Sequence, residues 1–182
     1  MNIKMDPRTR RNKLGFTARL LVLTGILLTV AYTGWSQTQA PTDSFTIKGD
    51  IPTPLTFKSQ DLDKLPQETA TVQDEDGTAV KYSGVLLRSI LEKAGAPIGK
   101  SLRGKGLASY VLAKARDGYQ VVFTPGELDT SFGNERVLVA YKRDGKPLFG
   151  YQGPFQIICP NDKAGARSIR MLETLEVVRL RK

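Results

Sequence analysis

The sequence predicts an α+β fold, a compact domain of mixed or antiparallel β-sheet with few helices. Three observations carry this. Short strand-like runs recur between Phe45 and Leu180, with Asp-Gly turns at Asp76-Gly77, Asp117-Gly118 and Asp144-Gly145. Only Val85–Ala94 has sustained helical spacing, with Leu86, Leu87, Ile90, Leu91 and Ala94 on one face. No regular strand–helix–strand alternation and no internal repeat is present.

The elements follow in order. SFTIKGDIPTPLTF alternates apolar and polar residues and is broken by Pro52 and Pro54, which predicts two short strands at a sheet edge. Ser59 is the expected N-cap of a short helical turn. Residues 68–83 form a hairpin around Asp74–Gly77. The helix at 85–94 stops at Gly95, with Pro97 beyond. Residues 98–107 are a basic, glycine-rich loop. Strands are expected at 109–115 and 119–123. Thr124-Pro125-Gly126-Glu127 is a capping box with proline at the first helical position. Further strands fall at 137–141, 155–159 and 172–180.

The formal charge of +9 is unevenly placed. Residues 1–40 hold six of the 27 basic and one of the 18 acidic side chains, so the rest carries a net +4. That excess is too small and scattered for a nucleic-acid interface, and leaves room for small anions. The chain has one cysteine, Cys159, and no histidine. Inventory therefore excludes an intrachain disulfide, a Ser-His-Asp triad and a histidine-ligated zinc.

Basic residues from Lys4 to Arg19 precede the apolar run Leu20–Trp35. This is the order of a secretory signal, and residues 1–40 are read as a signal peptide or membrane anchor plus linker, with the domain at 41–182. The run has sixteen residues, fewer than the roughly 20 that span a bilayer. Cleavage within Gly34–Ala40 and an uncleaved anchor both stay open. Either way the chain is expected to be exported, to the periplasm or the outer side of the cytoplasmic membrane. Membrane contact is expected only through this segment.

Candidate site residues are few. Arg103, with Lys100 and Lys105, sits in the glycine-rich loop, which is either a solvated surface or an anion site. Arg167 and Arg170 form a second cationic candidate. Asp117-Gly118-Tyr119 is hairpin chemistry first, though Tyr119 offers a hydroxyl. Cys159 follows an apolar strand and reads as a small buried hydrophobe. The acids at 74–76 lack the ordered ligand pattern of a calcium loop.

Several segments, in order and spacing, carry a family resemblance. They are Tyr82-Ser83-Gly84-Val85-Leu86-Leu87 with Ile90-Leu91-Glu92-Lys93-Ala94-Gly95, Asp117-Gly118-Tyr119, and Val139-Ala140 with Asp144-Gly145-Lys146-Pro147-Leu148. Gly153-Pro154 leading through Ile157-Ile158 to Pro160 completes the set. Together they resemble the oxidoreductase molybdopterin-binding domain, the sulfite-oxidase-type fold, over about residues 45–180. The resemblance implies a domain that clasps a molybdenum–pterin cofactor, with Arg103, Asp117, Tyr119, Arg167 and Arg170 as candidate contacts. In catalytic members a cysteine thiolate ligates the metal near the position of Ala70–Gln73. Here residues 69–76 read TATVQDED, without cysteine. The histidine and arginine that catalytic members often carry around the matching Gly-Pro are replaced by Gln152 and Gln156.

A soft thiolate suits molybdenum and tunes its redox chemistry, and neither Thr71 nor Val72 supplies one. The expectation is a non-catalytic or cofactor-poor module that binds an anionic ligand, a pterin or an envelope protein partner. Molybdopterin remains the implied cofactor class, with no protein cysteine ligand for the metal. A molybdopterin-dependent oxidoreductase, or a subunit of one, and a structural envelope protein are the alternatives.

Overall fold

The computed structural model describes residues 43–74 and 76–180, within a compact unit assigned to Pro41–Lys182. The expectations drawn on residues 1–42 and on Glu75 lie outside the described residues. The first half holds β1 (Phe45–Gly49), β2 (Leu55–Phe57), α1 (Ser59–Leu62), β3 (Gln67–Gln73), β4 (Ala79–Leu86) and α2 (Leu87–Lys93). The second half holds β5 (Ser109–Ala115), β6 (Gln120–Phe123), α3 (Pro125–Leu128), β7 (Leu138–Arg143), β8 (Lys146–Pro147), β9 (Gln156–Ile158) and β10 (Leu172–Arg179). No described helix is long and apolar enough to cross a membrane.

The strands form two sheets. The first has the order β2-β1-β10-β5-β6 and is antiparallel except where β1 runs parallel to β10. The second has the order β3-β4-β7-β8, with β9 also paired to β7, and is antiparallel throughout. The α+β class with mixed and antiparallel sheets is the one the sequence predicts.

Three local expectations shift. Pro52 and Pro54 fall in the β1–β2 connection, and β1 lies inside the sheet between β2 and β10, so only β2 is an edge. The α2 helix begins at Leu87, because Val85 and Leu86 are held extended by pairing with Val139 and Leu138. Tertiary pairing here overrides helical periodicity. Lys58 is the N-cap of α1 in place of Ser59, and its N–H donates to Asp61 Oδ2 at 3.1 Å. The predicted capping box of α3 forms, with Glu127 N donating to Thr124 Oγ1 at 3.2 Å and Thr124 N to Glu127 Oε1 at 2.7 Å.

Apolar residues from both sheets and from α2 make the main core. Phe45 stacks on Phe57 at 5.5 Å and meets Phe155 edge-on at 5.0 Å, beside Ile90, Leu91 and Leu175. The second sheet is apolar on its other face as well. Val85, Val139, Tyr141 and Ile157 point into the main core. Val80, Tyr82, Leu138, Ala140 and Ile158 form a smaller cluster on the opposite face. Strand alternation generates the two sets.

A bulge breaks that alternation once. Ser83 pairs with Lys142, but Gly84 pairs with Ala140, which leaves Tyr141 as the extra residue of β7. The shift puts Arg143 opposite Tyr82, on the face of the smaller cluster; regular alternation would aim it at the main core. The bulge is tight enough that a Cβ on Gly84 would lie 2.1 Å from the Val139 carbonyl oxygen. Gly84→Ala is expected to lower stability by about 3 kcal/mol in urea unfolding, since only main-chain movement relieves the collision. An unchanged midpoint would show that the strands part easily there.

Candidate functional site

A cleft of about 790 Å³ opens on the smaller-cluster face of the second sheet. One wall follows from strand parity. Val72 of β3, Tyr82 of β4, and Gln156 and Ile158 of β9 share that face, two residues apart on β9 and paired across β3–β4 through Ala70↔Tyr82 and Val72↔Val80. Thr71, Gln73 and Asp74 extend the wall along β3. The mouth is made by Asp117 and Tyr119 of the β5–β6 turn and by the segment from Cys159 to Arg170.

That segment is tied back onto its own strand. Ile157 N donates to the Ile169 carbonyl at 2.8 Å, and Cys159 N donates to Ser168 Oγ at 3.1 Å. Arg167 grips Asp162 through two hydrogen bonds, Nε to Oδ2 at 2.8 Å and Nη2 to Oδ1 at 2.7 Å. It also reaches Glu127 at 3.2 Å and lies over the Phe123 ring at 5.6 Å. The hydrogen bond from Arg167 holds the Asp162 carboxyl below its usual range. The Arg167 guanidinium thus already has two carboxylate partners, and it fastens the mouth segment to α3. Tyr119 adds a second tie, its hydroxyl donating to the Ala166 carbonyl at 2.8 Å.

The sequence candidates therefore separate. Asp117, Tyr119 and Arg170 line the cleft. Arg167 is in the mouth segment with its side chain in the ion-pair cluster. Arg103 is exposed, precedes a 3₁₀ turn at Gly104–Gly106 and does not line the cleft. Asp117 serves its own turn, accepting from Tyr119 N at 2.9 Å, and Gly118 has φ +89° as an Asp-Gly turn requires. Arg170 lies over the Tyr151 ring at 5.2 Å. No described carboxylate is within ion-pair distance of Arg170 or of Lys163, the other cation lining the cleft. Asp74 is offset by Arg143 at 2.7 Å, the contact the β7 bulge makes possible.

Two further residues line the cleft that the sequence reading did not count among its candidate contacts, although it named both. Gln156 is 5% exposed, and its Oε1 is sealed from solvent with no hydrogen-bond partner. It is the one such side-chain atom among the described residues. An unpaired buried amide oxygen costs about 1–3 kcal/mol, which sets this position apart from ordinary packing. The signal was the parity of Gln156 with Ile158, a polar residue on an apolar strand face. The second is Cys159. It lies 86 positions beyond Gln73 in the chain, yet both line the same cleft.

The Cys159 thiol is buried, and burial, with Asp162 nearby, pushes its pKa from 9.0 up to about 12. Its Sγ donates to the Arg167 carbonyl at 3.6 Å. It is therefore a neutral thiol at physiological pH. No group of three or more metal-ligating side chains of the His, Cys, Asp or Glu type occurs among the described residues.

Two consequences are measurable. Cys159 in the folded protein is expected to react with iodoacetamide at pH 8 about a hundredfold more slowly than in urea. The unfolded thiol ionises near pH 9 and the folded one near 12, so its stabilising contribution is complete below pH 9 and declines from 9 to 12. Equal rates in the two states would contradict the burial.

Comparison with known proteins is consistent along most of the chain. Residues 33–182 match the family described as "Oxidoreductase molybdopterin binding domain". The solved structure of the sulfane dehydrogenase SoxCD from Paracoccus pantotrophus superposes with a TM-score of 0.57 at 18% identity. The superposition covers 78% of this chain and 40% of that one, so this chain spans well under half of that protein, and the likeness is one of fold. No curated protein sequence matches. The family match takes in both sheets and every wall of the cleft, and on that ground the chain belongs to the oxidoreductase molybdopterin-binding domain family.

Proposed function

We propose that the protein is an exported binding module that takes an anionic, pterin-type ligand into this cleft and does not cycle electrons at a metal. The observation that carries this is the β3 wall of the cleft. At Thr71–Gln73, where catalytic members of the family place their thiolate, stand a hydroxyl, an isopropyl group and an amide. The organic half of a molybdenum–pterin group fits the residues present. The cleft is large enough for a bicyclic ring, Gln156 has an unused polar atom, and Arg170 and Lys163 offer uncompensated positive charge to a phosphate or carboxylate. The metal half does not fit. Molybdenum favours an anionic sulfur donor, and the residues at 71–73 offer none.

A second reading is that of a molybdopterin-dependent oxidoreductase. Cys159 favours it, as the one thiol of the chain and a lining residue of the same cleft. Its pKa near 12 weighs against it, because a metal would have to displace a proton held that firmly. Export rests on the basic and apolar order of residues 4–35.

One preparation separates these readings. The full-length chain is expressed in a host that makes molybdopterin, isolated from the periplasmic and membrane fractions, and denatured. Released pterin is measured by fluorescence after oxidation, molybdenum by elemental analysis, and the mature N-terminus by intact mass. The expected result is pterin or another organic anion with molybdenum well below one per chain. Stoichiometric molybdenum that is lost in Cys159→Ala would overturn the proposal in favour of the oxidoreductase. Recovery only from the cytoplasm would overturn the export.

A further inference from the structure

The basic, glycine-rich loop at 98–107 is no part of the cleft, and it is built as a fixed surface. Ile98, Leu102 and Gly106 are buried, while the 3₁₀ turns at Gly99–Ser101 and Gly104–Gly106 leave Lys100, Arg103 and Lys105 exposed. A Cβ on Gly106 would lie 3.0 Å from the Ser101 carbonyl oxygen, so the two turns pack directly on each other. Gly99 N donates to the buried Asp129 carboxylate at 2.6 Å. Ser101 Oγ donates to the Ile98 carbonyl at 2.8 Å, and Ser109 Oγ to the Gly106 carbonyl.

The same contacts gather exposed apolar side chains around the loop. Leu107 follows the second turn. Leu180 is tied next to it, its N–H donating to the Ala108 carbonyl at 2.9 Å. Phe132 N donates at 3.1 Å to the carbonyl of Asp129, the residue that holds Gly99. These three side chains are 50%, 64% and 59% exposed. The charge is one-sided. In the stretch 88–109 the only acid is Glu92, against Arg88, Lys93, Lys100, Arg103 and Lys105. No described carboxylate is within ion-pair distance of Lys100, Arg103, Lys105 or Arg179.

We propose that this face lies on an anionic lipid surface. Leu107, Phe132 and Leu180 enter the headgroup region, and Lys100, Arg103, Lys105 and Arg179 meet lipid phosphates. Composition selects lipid over protein. Lysine is depleted from protein interfaces and leucine is under-represented among their hot spots, whereas lysine and arginine among leucine and phenylalanine suit a bilayer interface. On the export reading above, residues 4–35 bring the chain to a membrane. The sequence alone gives membrane contact only to residues 1–40, and the folded domain adds this second one. Strand β5 separates the surface from the cleft. Ser109 begins it beside the loop, and the Asp117-Gly118 turn ends it at the cleft mouth, about 20 Å away. Docking by the loop therefore leaves the cleft open and is independent of what the cleft holds.

The test reads the depth of the loop in a bilayer. Trp35 is the one tryptophan of the chain, so the full chain with Trp35→Phe and Leu107→Trp reports from this face alone. It is mixed with vesicles of brominated phosphatidylglycerol and phosphatidylcholine, or of brominated phosphatidylcholine only. The expected result is a blue-shifted emission quenched about twofold by the anionic vesicles, recovered in about 0.5 M salt, and little change with the neutral ones. Arg103→Glu with Lys105→Glu should abolish the quenching. Lys81→Glu with Lys146→Glu makes the same change in net charge on the second sheet and should leave it intact. Thermal melts establish that each variant is folded, and the comparison of lipids and salt needs neither charge-reversed pair.

Quenching that is absent with anionic vesicles, or equal with neutral ones, overturns the assignment. So does an equal loss in the two charge-reversed pairs, which would reduce the effect to net charge. A blue shift that grows with protein concentration in the absence of vesicles would place a second copy of the chain on this face, and overturns it as well.

Discussion

The approach of Gly84 to the Val139 carbonyl governs the face on which the cleft lies. Antiparallel strands set side chains on alternate faces, so a uniform β7 would send Arg143 toward the apolar core. The extra residue at Tyr141 changes the parity. Arg143 instead meets Asp74 at the cleft wall and lies beside Tyr82 at 6.0 Å. Tyr141 itself stays buried, its hydroxyl 2.5 Å from Asp63 and 2.7 Å from Gln67, which ties the bulge to the start of β3. Burial raises the pKa of this phenol, and the hydrogen bond to Asp63 raises it further. One missing side chain at position 84 thus settles the geometry of a wall some residues away. It also lets a sheet that is apolar on both faces keep a polar cleft on one of them.

The chemistry of that cleft is set by which charges are spent. Arg167, Asp162 and Glu127 form a closed ionic cluster that fastens the mouth segment to α3, and Arg143 and Asp74 close another. Arg170 and Lys163 remain without a described carboxylate. The lining also holds an amide oxygen without a hydrogen-bond partner, that of Gln156, and a thiol that burial keeps protonated, that of Cys159. On the reading proposed above, such an environment positions an organic anion. A metal-centred redox site would need a soft anionic donor at its base, and strand β3 presents Thr71, Val72 and Gln73 there.

Much of this architecture was legible in the sequence, because the elements with local causes announce themselves. The Asp-Gly turns, the Thr124–Glu127 capping box and the strand at 109–115 depend on neighbouring residues and appear where expected, and the strand expected at 172–180 runs over Leu172–Arg179. The misreadings have non-local causes. Val85 and Leu86 have helical spacing but are pulled into β4 by β7. The parallel pairing of β1 with β10 joins opposite ends of the domain and makes β1 an interior strand in spite of the following prolines. The site shows the same division. Asp117 and Tyr119 were visible as a turn, and Arg170 as a cation. That Arg167 is spent in ion pairs, and that Cys159 meets Gln73 across one cleft, follows only from the fold.

We propose that this scaffold, without its sulfur donor, holds a ligand and does not cycle electrons. The most direct measurement is the visible absorption of the protein, freshly isolated from molybdopterin-producing cells, before and after dithionite. The expected result is no band between about 450 and 600 nm of the kind a thiolate-bound metal produces, and no change there on reduction. A band in that range that bleaches with dithionite and disappears in Cys159→Ala would contradict it.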